Sequence, residues 1–218
     1  MASLGATLAL CDINIDGLQA TVDLCKGEDH LVEVADVSSS DACSNFVNST
    51  VSSLGRLDLV FNCAGVNPTA YPLEDMTDVY FNKLVDTNLK GTFNITRAAI
   101  PHLKAGASIV NVSSIMGVSA AKHYAVYCAT KWAVVGFTKA MALELGQKQI
   151  RINAVAPGYI NTPTNAGVVA GEVKAQEEKV AMGRMGQPEE VADVVAFLFS
   201  DESRYMNGSI VEITGGRV

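Results

Sequence analysis

The sequence predicts an α/β fold, a doubly wound parallel sheet in a single domain, and three observations carry that expectation. Short apolar runs alternate with stretches of helical spacing along the whole chain. No linker interrupts the alternation, and strands separated by helical segments need right-handed crossovers, which give a parallel sheet covered on both faces. The 218 residues, 49% hydrophobic and only 18% charged, can bury one sizeable core.

Taken in order, Ala6–Cys11 is a short apolar strand that runs into Asp12, Ile15–Lys26 is a helix, and His30–Ala35 is a second strand. Asp41–Leu54 has helical spacing, and Leu57–Asn62 is an apolar strand ending in Cys63-Ala64-Gly65. A long helical stretch runs from about Asp78 to Leu103, followed by the strand Ser108–Val112 with two hydroxyls, Ser113 and Ser114, at its end. A long helix surrounds Tyr127, and Arg151–Val155 is the next strand. The Gly/Ala/Val-rich segment Asn161–Met182 breaks the rhythm, after which Pro188-Glu189-Glu190 opens a helix and Ser209–Ile213 forms the last strand.

Composition excludes several partners. A formal charge of −7 and a pI near 4.9, with no run of Lys or Arg, argue against nucleic acid or an anionic membrane surface. The apolar opening Met1–Leu10 has no basic start and runs directly into Asp12, so it does not read as a secretory leader, and no other stretch is long enough to span a bilayer. Cys11, Cys25, Cys43, Cys63 and Cys128 are odd in number and lack metal-ligand spacing, as expected for reduced thiols of a cytoplasmic protein with no metal site. His30, His102 and His123 fall outside every motif.

The pattern that carries chemistry is Tyr127 followed by Lys131, with Ser114 thirteen residues before the tyrosine at the end of an apolar run. Residues four apart on a helix project from one face, so phenol and ammonium are neighbours. A nearby positive charge favours the ionised phenol, whose unperturbed pKa is about 10. Active groups of parallel sheets gather at the carboxyl ends of strands, where the hydroxyl of Ser114 falls.

With these residues go Asn62-Cys63-Ala64-Gly65, Asn88-Leu89-Lys90-Gly91, Pro157-Gly158-Tyr159-Ile160-Asn161-Thr162-Pro163 and the late Gly183-Arg184-Met185-Gly186-Gln187-Pro188-Glu189-Glu190-Val191-Ala192. In this order and spacing the chain resembles the short-chain dehydrogenase/reductase family over almost its whole length. The resemblance implies a Rossmann-like fold and an NAD(P)-dependent oxidoreductase that interconverts a secondary alcohol and a ketone. It makes Tyr127 the general acid/base, Lys131 the group that lowers its pKa and bonds the nicotinamide ribose, and Ser114 the donor that holds the substrate oxygen; the thirteen-residue spacing selects Ser114 over Ser113. Asn88 matches the family asparagine that bends its helix and anchors a water linking the lysine to solvent.

The cofactor contacts implied are Asp12 on the adenosine ribose, Asp36 and Val37 at the adenine, Asn62, Ala64 and Gly65 at the central strand ends, and Pro157, Gly158, Ile160 and Thr162 at the carboxamide. Asp36 also reads as a cap for the helix near Asp41. Asp12, with no Arg or Lys in the next ten residues, favours NAD over NADP. The lid at about 161–185 is small and apolar, with Val168, Val169 and Met182, and suits a neutral hydrophobic substrate of terpenoid, steroid or polyketide type. The helices around Asn82–Leu103 and Ala125–Leu145 resemble those that build family homodimers and homotetramers.

Two departures from the family pattern stand out. Thr214 occupies the place of a usual acidic residue before Gly215-Gly216, a change that touches assembly more than catalysis. The family's opening strand and Thr-Gly-x-x-x-Gly-x-Gly turn have no counterpart, so Met1–Ala6 aligns with the tail of the first family helix and roughly 25–30 residues of one βα unit are expected to be missing. Gly5 then reads as a helix-ending glycine. That loss would leave the two strands beside the missing one unpaired and would weaken dinucleotide binding. An impaired or inactive family member, or an isomerase or lyase using the same residues, is the alternative function.

Overall fold

The structure is a computed structural model that describes residues 1–27, 29–162 and 170–216, apart from the side chains of 170–173. It is a Rossmann-like α/β fold in which every strand pairing is parallel. Strand β1 (Ala9–Asp12) pairs with β2 (Leu31–Val34), Ala9 opposite Leu31. Strands β3 (Leu59–Asn62), β4 (Ser108–Val112), β5 (Arg151–Pro157) and β6 (Ile210–Ile213) form a four-stranded sheet in that order. Ser108 stands opposite both Leu59 and Arg151, which fixes the register of its centre.

No ladder joins β1 to β3 among the described residues. Burial holds the two sheets to one core instead: Cys43, Phe46 and Val47 pack with Val60, Ile109 and Ile152, and Ala9 and Cys11 of β1 lie against the same cluster. Central strands covered on both faces need continuous apolar runs, and Ile152 and Ala154–Ala156 are accordingly buried without alternation.

The helices follow their end signals. Helix α1 (Ile15–Leu24) is capped by the Asn14 side chain on Gly17 N–H. Helix α2 (Ser40–Leu54) is capped by Ser39, whose hydroxyl accepts from Ala42 N–H, and stops at Gly55 with φ 74°. Asp36 therefore does not cap α2; its carboxylate accepts from Ser38 N–H in the preceding turn. Gly5 ends a short 3-10 turn, Ala2–Leu4, at φ 90°.

The stretch expected as one helix from Asp78 to Leu103 is divided. It comprises α3 (Asp78–Val85), a π-helical turn (Asp86–Gly91), α4 (Thr92–Ala99) and a 3-10 turn (Ile100–His102). Two side-chain demands sit at the irregular turn. The amide of Asn88 is held by the Val66 backbone, and a Cβ on Gly91 would lie 2.6 Å from Val37 Cγ2.

Helix α5 (Ala125–Gly146) covers the sheet on one side, and the segment expected to be irregular contains α6 (Ala170–Glu177). Val168 and Val169 lie outside the described residues. Helix α7 (Pro188–Phe199) begins with proline and a reciprocal capping box between Gln187 and Glu190. Buried amides stitch the layers together: Asn62 Nδ2 donates to Thr96 Oγ1 and to Asn111 Oδ1, and Asn111 Nδ2 donates to Thr138 Oγ1.

Candidate active site

The sequence-predicted residues gather where parallel strands end. Asp12 closes β1, Asp36 and Val37 follow β2, Asn62 closes β3 ahead of Ala64 and Gly65, Ser114 follows β4, and Pro157 closes β5. Crossovers return every chain segment to the same edge of the sheet, so residues remote in sequence converge there.

Tyr127 and Lys131 lie in the first two turns of α5, both buried, with Lys131 Nζ 5.7 Å from the centre of the tyrosine ring. The ammonium donates to the Val112 carbonyl oxygen at 3.0 Å. Ser114, nine-tenths buried, hydrogen-bonds the phenol and accepts from Met116 N–H at 3.1 Å. Ser113 faces the other way: its hydroxyl donates to the Lys131 backbone carbonyl at 2.9 Å.

Electrostatics in the chain alone differ from the simple expectation for a tyrosine next to lysine. Burial pushes the Tyr127 phenol up, and the Ser114 hydrogen bond lowers it against that rise. Lys131 is pulled down to about 8, again by burial, with Cys63 opposing the shift. Desolvation is thus the largest cause of the shift in both groups. The Cys63 thiol is also pushed up by desolvation, with Lys131 acting in the opposite sense. Its proximity to Lys131 follows only from the convergence of β3 and α5 and had no signal beyond the adjacent Asn62.

Asn88 sits in the π-turn with its Oδ1 accepting from Val66 N–H at 2.7 Å and its amide donating to Val66 O at 3.3 Å. Gly65 lies close to both the amide and the lysine: a Cβ there would stand 3.3 Å from Asn88 Oδ1 and 3.7 Å from Lys131 Nζ. Val37 is buried in the core against Gly91, while Asp36 is exposed. Asp12 is exposed, its Oδ1 accepting from Asn14 N–H at 2.9 Å.

On the far side, Pro157 and Gly158 continue from β5, and Gly158 N–H donates to Ile213 O at 2.9 Å. Ile160 bridges to Gly186, which closes the base of the segment leading to Thr162. A cavity of about 230 Å³ lies here, lined among others by Tyr159, Ile160, Met182, Arg184 and Thr214. Arg184 is occupied by a two-point ion pair with Glu190 at 2.7 and 2.8 Å, which holds the Glu190 carboxyl down to about 2.

A serine hydroxyl, a buried phenol and a buried lysine amine meet at one strand end of a parallel α/β fold. The comparisons set the chain among oxidoreductases. The family model described as enoyl-(acyl carrier protein) reductase matches residues 1–217. The chain is 37% identical to a 3-oxoacyl-[acyl-carrier-protein] reductase of Thermotoga maritima, over 100% of this chain and 89% of that protein. It is 36% identical to a cyclohexanol dehydrogenase of an Acinetobacter species, over 99% and 86%. A short-chain dehydrogenase/reductase from Brucella melitensis, titled a glucose/ribitol dehydrogenase, superposes with a TM-score of 0.93 at 31% identity, covering 99% of this chain and 87% of that one. The chain belongs to the short-chain dehydrogenase/reductase family.

Proposed function

We propose that this chain interconverts a secondary alcohol and a ketone with NAD, acting on a neutral, hydrophobic substrate. The observation that carries the reading is the burial of Tyr127 and Lys131 at the end of β4, with Ser114 bonded to the phenol. In the oxidation direction Ser114 positions the substrate hydroxyl and Tyr127 accepts its proton; in reduction the phenol returns it. The bound nicotinamide would supply hydride exchange, held on its ribose by Lys131 and on its adenosine ribose by Asp12. Glycine at position 65 keeps a side chain away from Asn88, whose Oδ1 a Cβ would meet at 3.3 Å, and lets a ligand approach the backbone at the end of β3. Asp12, exposed at the end of β1, accepts a ribose 2′-hydroxyl and repels a 2′-phosphate, which favours NAD over NADP.

Support for an uncharged substrate comes from the cavity by Ile160 and Met182, where Arg184 is already paired with Glu190 and offers no clamp for an anion. The relatives' names span acyl thioesters and cyclohexanol, so a panel holding both separates the classes. NADH formation with cyclic alcohols, lost by about 10²-fold or more in Tyr127→Phe, is the expected result. Product formation without net NADH turnover would favour an isomerase or lyase instead.

A second reading rests on the divided sheet. Among the described residues β1 and β3 share no ladder. That gap favours weak dinucleotide binding and an impaired enzyme, and titration of NADH fluorescence tests it directly.

The chain further presents an apolar stripe for a homodimer or homotetramer. Phe81, Val85, Leu89 and Phe93 recur every fourth residue along α3 to α4, beside Ala129 and the half-exposed Trp132 of α5, around a shallow cavity of about 280 Å³. Light scattering of Phe81→Glu should report a smaller species than the parent chain. Residence in the cytoplasm is consistent with five free thiols, and no described helix is long and apolar enough to cross a membrane.

A further inference from the structure

Three consecutive residues at the end of β4 each engage the first turns of α5. Val112 O accepts from Lys131 Nζ, Ser113 Oγ donates to Lys131 O, and Ser114 bonds the Tyr127 phenol. The outer two contacts belong to the reacting groups. The middle one does not touch them, yet it is almost wholly buried and grips the backbone of the lysine itself.

We propose that Ser113 is a positioning residue, which fixes the depth of the α5 turn bearing Lys131 against the end of β4. A helical carbonyl keeps one lone pair for its own i+4 N–H and has a second free. The Ser113 bond uses that second acceptor, so the helix does not depend on it for its internal ladder. What the bond adds is a fixed point between strand and helix, one residue from each of the contacts that set Lys131 and Tyr127. Gly117 completes the clamp. A Cβ there would collide with the Ser113 hydroxyl and come within 2.8 Å of Lys131 O, so only glycine lets strand end, turn and helix meet this closely.

Without the hydroxyl, the α5 turn is free to lift, and both the Lys131–Val112 and the Ser114–Tyr127 contacts loosen together. The groups that face the pair are Ser114 after β4 and Cys128 on α5 for Tyr127, whose ring centre lies 5.7 Å from Lys131 Nζ, and Cys63 at the end of β3 for Lys131, with Asp12 of β1 acting on Cys63. The proposal rests on the oxidoreductase reading of the site, but its effect is visible without turnover.

The test is Ser113→Ala in the full chain, with Ser113→Thr as the variant that restores a hydroxyl and Gly117→Ala as one that displaces it. Ultraviolet difference titration, each protein minus its Tyr127→Phe counterpart, isolates ionisation of Tyr127. Loss of the Ser113 hydroxyl is expected to weaken that ionisation by about threefold or more and to lower kcat by about tenfold with KM within twofold. Gly117→Ala should behave alike, and Ser113→Thr should recover. A Ser113→Ala protein with a lower melting temperature but an unchanged Tyr127 titration would overturn the proposal and leave Ser113 a satisfied core hydroxyl. If the parent chain oxidises no alcohol while the titration still shifts, the positioning role stands and the oxidoreductase reading fails on its own.

Discussion

Asn88 clasps the backbone of Val66 at two points, its Oδ1 accepting the N–H at 2.7 Å and its amide donating to the carbonyl at 3.3 Å. The clasp joins the π-turn to the loop that follows β3, so the loop carrying Ala64 and Gly65 is held by a residue more than twenty positions away.

Asn88→Ala leaves both Val66 groups without these partners, and an unsatisfied buried polar group costs about 1–3 kcal/mol. Urea denaturation should report a loss of that order together with a fall in kcat. Asn88→Asp keeps the acceptor and loses the donor, so it should fall between the two. Equal stability of Asn88→Ala and the parent would show that the clasp is dispensable.

Lys131 predicts a conflict between stability and chemistry. Its ordinary value is 10.5 and burial lowers it to about 8, so between those values the unfolded chain binds a proton that the native chain does not. Stability therefore rises with pH across that window, and below pH 8 the full cost of a buried ammonium is present. Lys131→Met should be more stable than the parent at pH 7, by on the order of 3 kcal/mol at most, and inactive. The advantage should shrink to nothing as pH approaches 10.5, read as the difference between two melting curves measured over pH.

Asp12 predicts cofactor choice. Its carboxylate is exposed and accepts the Asn14 N–H through one oxygen. Asp12→Ser removes the acceptor for a ribose 2′-hydroxyl and the repulsion of a 2′-phosphate. Relative kcat/KM for NADP over NAD should increase by about tenfold or more, equivalent to roughly 1.4 kcal/mol. An unchanged ratio places the adenosine ribose away from Asp12.

Gly91 predicts a packing limit. A Cβ at this position would stand 2.6 Å from Val37 Cγ2 and 3.1 Å from Val37 Cβ, and both atoms belong to a core residue. Gly91→Ala should destabilise by about 1–3 kcal/mol through overpacking. Val37→Ala in the same chain should recover part of that loss, because it removes the colliding methyl groups.

Much of this was readable from residue order. The run Ser108–Val112 is a strand buried along almost its whole length, and its apolar Ile109, Val110 and Val112 made it legible, as did Leu59, Val60 and Phe61 in Leu59–Asn62, although Phe61 is exposed. The four-residue spacing of Tyr127 and Lys131 put both on one turn of α5 for the same reason of periodicity. Helical periodicity showed no sign of the π-turn, and only the family resemblance at Asn88 pointed to a bend there. Its cause is a contact between Gly91 and Val37 and a clasp between Asn88 and Val66, and helical periodicity records neither.

The sequence by itself determined the parallel α/β class and, through the order of its motifs, the family, and it set Tyr127 and Lys131 on one helix, because these depend on periodicity and on spacing along the chain. Only the tertiary structure decided that Ser113 turns to the lysine backbone while Ser114 turns to the phenol, and that Val37 serves the core. Only it decided that the strand pair and the set of four share one core. Burial likewise determined the charge balance, raising the tyrosine and lowering the lysine, since desolvation depends on everything packed around a group and not on its neighbours in the chain.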